Sequence, residues 1–401
     1  MKQSSISVVL FAIMFSGVVL AGTMEDYGGF KARNYKKGTD GKLYTSNESQ
    51  VKIFTEDLTS NQQKECIIAA KMASSGYTDD RYDDYKNNFY KDNNGTGYEE
   101  ADRKTLENII LQAHKANEKS ELYIKQETVK FKSNDASGKN EEGIKVLTIA
   151  GNGKSRLNAR IFIRNDGSVG IVFGGTASLK DAVDDVLNVS PVTPTPKPYK
   201  EAVELLKAVK AVFPDTPINV YGHSEGGGEA MYAVLSEGVK NGTKDVMYYG
   251  VNSAGLNGLK TNDVITHNLS EKALTQEDIE THFVLIQNQG EKLPGNIPVS
   301  MVAYQFGTVV LVPDMQNVFT EENDAKYVSR AKNKAFENLD GAHGIEETLW
   351  KMTHLISGND DPLNSQPLNP GGDTGNGTER GSSNASGSKD GYQGLKSIHL
   401  F

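Results

Sequence analysis

Pro217-Ile-Asn-Val-Tyr-Gly-His-Ser-Glu-Gly-Gly-Gly-Glu-Ala-Met-Tyr-Ala-Val-Leu235 decides the fold. Ile218, Val220 and Tyr221 form a short apolar strand, and the Ala/Met/Tyr/Val/Leu run after Gly228 has the composition of a helix. Between them stands Gly222-His223-Ser224-Glu225-Gly226, the G-x-S-x-G pattern of a nucleophile elbow. That chemistry needs a serine on a sharp strand-to-helix turn, with its hydroxyl above the sheet and the next backbone N–H facing a developing oxyanion. Ser224 is therefore the candidate nucleophile, and Glu225 the candidate donor of an oxyanion N–H. Three fixed residues in five recur by chance, so the flanking strand and helix give the pattern its weight. The competing explanation is a glycine-rich turn whose serine merely caps a helix.

Working outward, Leu122–Gln126, Thr128–Lys132, Ile144–Ile149 and Ala159–Arg164 alternate with a period of two and are separated by Gly/Asn/Asp turns. Asn165-Asp-Gly marks a hairpin leading into Val169-Gly-Ile-Val-Phe173, a central strand. It delivers Phe173-Gly-Gly-Thr176, a strand-end loop able to offer backbone N–H groups, and the Thr176 hydroxyl, to an oxyanion. A plain Gly-Gly turn is the alternative. Ser190–Pro198 is an extended connection, and Glu201–Val212 an amphipathic helix. Beyond the elbow, Val246–Val251 and His282–Ile286 are strands, Ser300–Tyr304 and Thr308–Val312 pair as a hairpin, and Ile345–Ile356 is the last helix.

In a hydrolase sheet of this kind the acid and then the histidine follow the serine, on loops at the carboxyl ends of strands. His343 lies in a Gly/Ala-bounded loop just before a helix and is the candidate base. His267 has no strand end beside it, His282 begins a strand, His354 lies inside the last helix and His399 is in the tail. Glu291 closes the loop after the strand that begins at His282 and is the first candidate for the acid. Asp314, after the next apolar run, is its main rival, and Asp340 a weaker one.

Phe173-Gly-Gly-Thr176, Gly222-His-Ser-Glu-Gly-Gly227, Asn288-Gln-Gly-Glu291 and His343 together resemble the landmarks of the fungal-type class 3 lipases, over about residues 145–355. The resemblance implies an α/β-hydrolase fold with a central, mostly parallel sheet and flanking helices. It also implies Ser224 as nucleophile, His343 as base, Thr176 in the oxyanion hole, and hydrolysis of triacylglycerol or phospholipid esters. Three positions depart from the family pattern: Gly174 replaces a basic residue before Gly-Thr, Glu225 replaces leucine after the serine, and Glu291 replaces aspartate. Peptidases and acyltransferases can use the same triad, and an idle hydrolase scaffold can serve as a binding protein. Ser178–Pro198 is the best-placed cover for the site but is only modestly apolar, so nothing supports interfacial activation.

The ends and the charge set the context. Residues 1–21 carry Lys2, an apolar run from Ile6 to Leu20, and Val19 and Ala21 ahead of a cleavage point, the build of a secretory signal peptide. A secreted or periplasmic protein is expected. Residues 22–120 form an N-terminal arm and helices packed on the catalytic domain, 121–356 the catalytic domain, and 357–401 a low-complexity tail too polar to offset its ordering entropy. Within the arm, 22–50 is irregular, a helix capped by Thr59 or Ser60 runs to about Ser75 with Ile67, Ile68, Ala69 and Met72 as its apolar face, and Thr78–Glu100 is an acidic loop. Ala101–Glu118 is a second helix resting on Leu106, Ile109, Ile110 and Ala113, and its His114 is given no function. The net charge of -9 has no basic stripe within it and excludes a nucleic-acid partner. The expected partner is a lipid or small ester, with transient contact to a membrane surface. The single cysteine, Cys66, allows no internal disulfide and reads as a buried small hydrophobe. No His/Cys/Asp cluster has metal-ligand spacing, so no cofactor or metal is expected.

Overall fold

In the computed structural model, the described residues are 35–37, 43–45, 51–77, 95–129, 143–152, 157–175, 195–238, 246–254, 256–257, 281–288, 303–304, 307–313 and 344–357. Most of the apolar runs read as strands, joined by two three-residue strands that were not, assemble among the described residues into one ten-stranded sheet. Its strands are β3 (Val51–Ile53), β4 (Tyr98–Glu100), β5 (Leu122–Val129), β6 (Ile144–Gly151), β7 (Asn158–Arg164), β8 (Val169–Phe173), β9 (Ile218–His223), β10 (Val246–Val251), β12 (Phe283–Asn288) and β14 (Thr308–Val312). The order is β3-β14-β12-β10-β9-β8-β7-β6-β5, with β4 beside β7. From β3 to β8 every pairing is parallel, and from β8 to β5 every pairing is antiparallel. The elbow strand β9 thus lies between two parallel neighbours, with Phe173 opposite Gly222 and Val251 opposite His223.

Side chains along a strand alternate between faces, and in a parallel sheet covered on both sides each face needs its own apolar layer. Val220, Tyr248, Leu285 and Val309 point to one face, where they meet α2 (Arg103–Ala116), α3 (Lys197–Val212) and α4 (Glu225–Ala233). Their strand neighbours Tyr221, Tyr249, Val284, Ile286 and Val310 point to the other, against α1 (Ser60–Ser75) and α5 (Ile345–Ser357). The result is three layers, helix on sheet on helix. Each fully buried aliphatic or aromatic side chain contributes about 1.5–3 kcal/mol of transfer free energy, and register slippage by one residue would exchange the two layers.

The second face also carries polar seams. Tyr98 Oη and Tyr221 Oη share a hydrogen bond of 3.1 Å, Asn219 Nδ2 donates to Tyr98 Oη at 2.9 Å, and Tyr221 stacks on Tyr249. Burial pushes the pKa of all three tyrosines up, so they stay neutral donors. Arg164 on β7 grips Glu65 on α1 through both guanidinium nitrogens, at 2.8 and 3.3 Å. The buried Arg160 meets Glu100 and donates to the Ser75 carbonyl at 3.0 Å. A cation at a helix C-terminus is electrostatically favourable, and here it pins the end of α1 to the sheet.

α1 opens on a capping box: Gln62 N–H donates to Thr59 Oγ1, and Thr59 N–H donates to Gln62 Oε1. Its buried face is Cys66, Ala69, Ala70, Met72 and Ala73. Ile67 and Ile68, expected inward, are half-buried and pack against the margin of the same core. α2 does rest on Leu106, Ile109 and Ala113, with Ile110 half-buried, and His114 Nε2 lies 3.3 Å from the Leu122 carbonyl.

Several expectations need correction. Ser300–Tyr304 and Thr308–Val312 do not form a hairpin: β13 (Ala303–Tyr304) pairs with β11 (Leu256–Asn257), whereas β14 enters the main sheet parallel to β12. The stretch 22–50 is not wholly irregular, since β1 (Tyr35–Lys37) and β2 (Leu43–Thr45) form an antiparallel ribbon. Just beyond it, β3 extends the sheet. The acidic loop does not reach Glu100, because Tyr98–Glu100 pairs with β7. Leu122–Val129 is one uninterrupted strand. α3 starts at Lys197 rather than Glu201, with Pro198 in its first turn, where the missing N–H costs no helix hydrogen bond. Thr176, Glu291, Asp314, Asp340 and His343 lie outside the described residues, as do residues 1–21 and 358–401.

Candidate active site at the carboxyl edge of the sheet

β9 ends at His223 and α4 begins at Glu225, leaving Ser224 alone to reverse the chain. It does so at φ 56°, ψ −127°, one of two non-glycine residues with positive φ among those described; the other is Asn252. An L-residue held there costs of order 1–3 kcal/mol and persists only where its surroundings over-determine it. The neighbouring strand end supplies those surroundings. Ser224 N–H donates to the Val251 carbonyl at 3.3 Å, and its carbonyl accepts from Ala254 N–H at 2.8 Å and Gly227 N–H at 3.1 Å. The Ser224 side chain makes no capping hydrogen bond to α4, so the turn is not a serine-capped helix start. Ser224 and Glu225 are both half-buried, at the surface of an otherwise buried segment.

The flanking glycines are required by close approach. A Cβ on Gly222 would lie 2.2 Å from the Gly226 carbonyl oxygen, and one on Gly226 would lie 2.4 Å from the Phe173 carbonyl oxygen. The elbow is therefore pressed directly on the end of β8, where the expected oxyanion loop begins. Gly175 is equally confined, with a Cβ there 2.3 Å from Tyr77 Oη and 2.6 Å from the His223 carbonyl oxygen. Tyr77 Oη lies 2.5 Å from His223 Nδ1, and the two rings meet edge to face. Asn158 adds to the clamp: its carbonyl accepts from Gly174 N–H at 2.8 Å, and its Nδ2 donates to the Gly76 carbonyl at 3.4 Å.

Beside the elbow, the carboxyl ends of β10 and β12 and the first turn of α5 meet in a buried polar cluster of Asn252, Asn288 and Thr348. α5 starts at Ile345, two residues after His343 in the sequence. Glu291 follows the end of β12 by three residues, and Asp314 follows the end of β14 by two, both strands ending on the same edge as β9. His282 is at the opposite edge, because Phe283 pairs with Tyr248 and Tyr248 with Val220. Tyr77, Asn252, Asn288 and Thr348 were not singled out from sequence. They are far from Ser224 along the chain, and no local pattern marks them.

Cys66 is fully buried, and burial pushes its thiol well above the ordinary range, so it takes no part in surface chemistry.

No protein-family model matches the sequence, and no curated protein is similar to it. Among solved structures, the chain is similar to the extracellular lipase LipA from Serratia marcescens, at 14% identity and a TM-score of 0.29. That similarity covers 58% of this chain and 40% of the other, so the chain spans less than half the length of that lipase. At this level the likeness carries no argument, and the architecture rests on the strand order and the turn themselves. A central multi-stranded sheet flanked by helices, with a strained serine after a parallel strand, is an α/β-hydrolase-like fold.

Proposed function

We propose that the chain is an exported serine hydrolase of carboxylic esters, acting on lipid esters of the triacylglycerol or phospholipid class, as its resemblance to the class 3 lipases implies. The carrying observation is Ser224: a non-glycine residue at φ 56°, between a central parallel strand and a helix it does not cap. Export rests on the leader-like residues 1–21.

In this mechanism His343 accepts the Ser224 proton as the hydroxyl attacks the ester carbonyl, and a carboxylate holds the imidazole tautomer. Glu291 is the proposed carboxylate, and Asp314 the alternative. The backbone N–H of Glu225, at the start of α4, and that of Thr176 receive the oxyanion, helped by the positive end of the helix. The alcohol leaves with the proton from His343, and water activated by the same imidazole resolves the acyl-enzyme. A carboxylate at Glu225 disfavours substrates with an anionic group close to the reacting carbonyl.

Turnover of an ester series, from short p-nitrophenyl esters through triacylglycerol and phosphatidylcholine emulsions, tests the proposal. Hydrolysis of at least one lipid ester, lost on Ser224→Ala and on His343→Ala, is the expected result. No hydrolysis of any ester, or activity retained in both variants, would refute it.

A further inference from the structure

β10 ends at Val251, and the residues after it return to the elbow. Extended chain would carry Ala254 about 10 Å past Val251. Both nevertheless bond to Ser224: the Val251 carbonyl accepts from Ser224 N–H at 3.3 Å, and Ala254 N–H donates to the Ser224 carbonyl at 2.8 Å. The reversal takes place at Asn252, whose φ of 42° lies in the left-handed region that asparagine tolerates better than most L-residues. Asn252 is buried and held from three sides. Its N–H donates to the Ile286 carbonyl at 2.9 Å, its Oδ1 accepts from Asn288 N–H at 3.1 Å, and its Nδ2 donates to Thr348 Oγ1 at 2.9 Å. Ser253, next along, is packed on the first turn of α4, where a Cβ on Gly227 would lie 2.5 Å from Ser253 Oγ.

The Ser224 carbonyl and the Glu225 N–H belong to one peptide unit, planar and trans, so they point in opposite directions. Whatever fixes the carbonyl fixes the N–H. Gly227 N–H at 3.1 Å and Gly228 N–H at 3.4 Å also reach this carbonyl, but both belong to α4 and set the plane relative to the helix. Ala254 N–H comes from the sheet side. Its bond sets the plane relative to the strand ends, including that of β8, which lies beside β9.

We propose that Asn252 is a positioning residue for the oxyanion site: its left-handed backbone brings Ala254 N–H onto the Ser224 carbonyl and so sets the peptide plane that carries the Glu225 N–H. The role rests on the proposed assignment of that N–H as an oxyanion donor. Asn252 is buried and meets no substrate. The donor it aims is used as charge develops on the carbonyl oxygen, so the role is felt in kcat rather than in KM.

Asn252→Ala and Asn252→Gly, made in the full chain, test this. Both lose the same side-chain hydrogen bonds, and only glycine takes the left-handed conformation without penalty. The first readout is NMR with carbonyl-13C serine and 15N-glutamate, in which only Ser-Glu pairs give a signal; that of Glu225 is the one lost in Ser224→Ala. The second is steady-state kinetics on a short acyl ester. Asn252→Ala is expected to shift the Glu225 amide signal and to lower kcat about 10- to 100-fold, with KM within a factor of about 2. Asn252→Gly is expected to move the signal back toward its wild-type position and to recover at least about 5-fold in kcat. Glycine no nearer to wild type than alanine would overturn the proposal, as would a Glu225 signal that superimposes on wild type in folded Asn252→Ala. Should Asn252→Ala not fold, Ala254→Pro, which deletes the donated N–H, is read in the same way, and an unmoved Glu225 signal again overturns the role. Absence of ester turnover in the wild type refutes the ester-hydrolase assignment, and the Glu225 signal then decides by itself whether Asn252 sets the plane.

Discussion

Replacing Ser224 by glycine and by alanine separates the backbone strain of the elbow from its chemistry. Both variants lose the hydroxyl, and neither loses a helix cap, because the serine side chain makes none. Alanine keeps a Cβ and so keeps the penalty of φ 56°, ψ −127°, about 1–3 kcal/mol. Glycine removes that penalty, while its freer unfolded chain costs about 0.5–1 kcal/mol. The difference leaves Ser224→Gly more stable than Ser224→Ala by up to about 2.5 kcal/mol. For a domain of this size each kcal/mol moves Tm by about 2–4 °C, so scanning calorimetry or urea unfolding at matched concentration can read it. Alanine as stable as glycine, or more so, would show that the turn stores no strain and would remove the physical basis for regarding Ser224 as a functional elbow.

Two further outcomes follow from the same geometry. Gly222→Ala places a methyl 2.2 Å from the Gly226 carbonyl oxygen, a backbone atom that cannot rotate away, so it should cost about 1–3 kcal/mol or more and reduce serine labelling along with Tm. Equal stability and labelling would mean that the elbow can open. Cys66, buried and with its thiol pushed up, should resist a thiol-reactive dye at pH 8 in the native state and react once the chain is unfolded in guanidinium. The native thiol keeps its proton above pH 9.0 where the unfolded one loses it, so this group makes stability fall as pH rises past 9.0. Rapid native labelling would contradict the packing of α1.

Where the chain speaks locally, sequence was sufficient. The elbow, β8, β10 and β12 are short apolar runs bounded by Gly, Asn or Pro, and α2 shows its buried face through helical spacing. Pairing was less legible. Thr308-Val-Val-Leu-Val312 reads as half of a hairpin because Ser300–Tyr304 stands next to it, yet its uninterrupted apolar character is that of a strand buried on both faces. β3 and β4 are three residues each, too short to show a period, and are strands only because β14 and β7 offer free edges. Pro198 suggests extended chain, but it is tolerated in the first turn of α3. The residues around Ser224 were the least visible. Tyr77 reaches His223 across 146 positions, and Thr348 reaches Asn252 across 96 and Asn288 across 60. Such contacts are products of the sheet order, and no spacing within the chain encodes them.

The central claim is that Ser224 is an activated nucleophile, and covalent labelling tests it most directly. A fluorophosphonate probe, followed by peptide mass spectrometry, should modify Ser224 in the folded protein. The label should be lost in Ser224→Ala and on prior unfolding, and reduced by at least about 100-fold in rate in His343→Ala. A probe that leaves Ser224 unmodified in folded protein, or that labels it as fast without His343, would contradict the account.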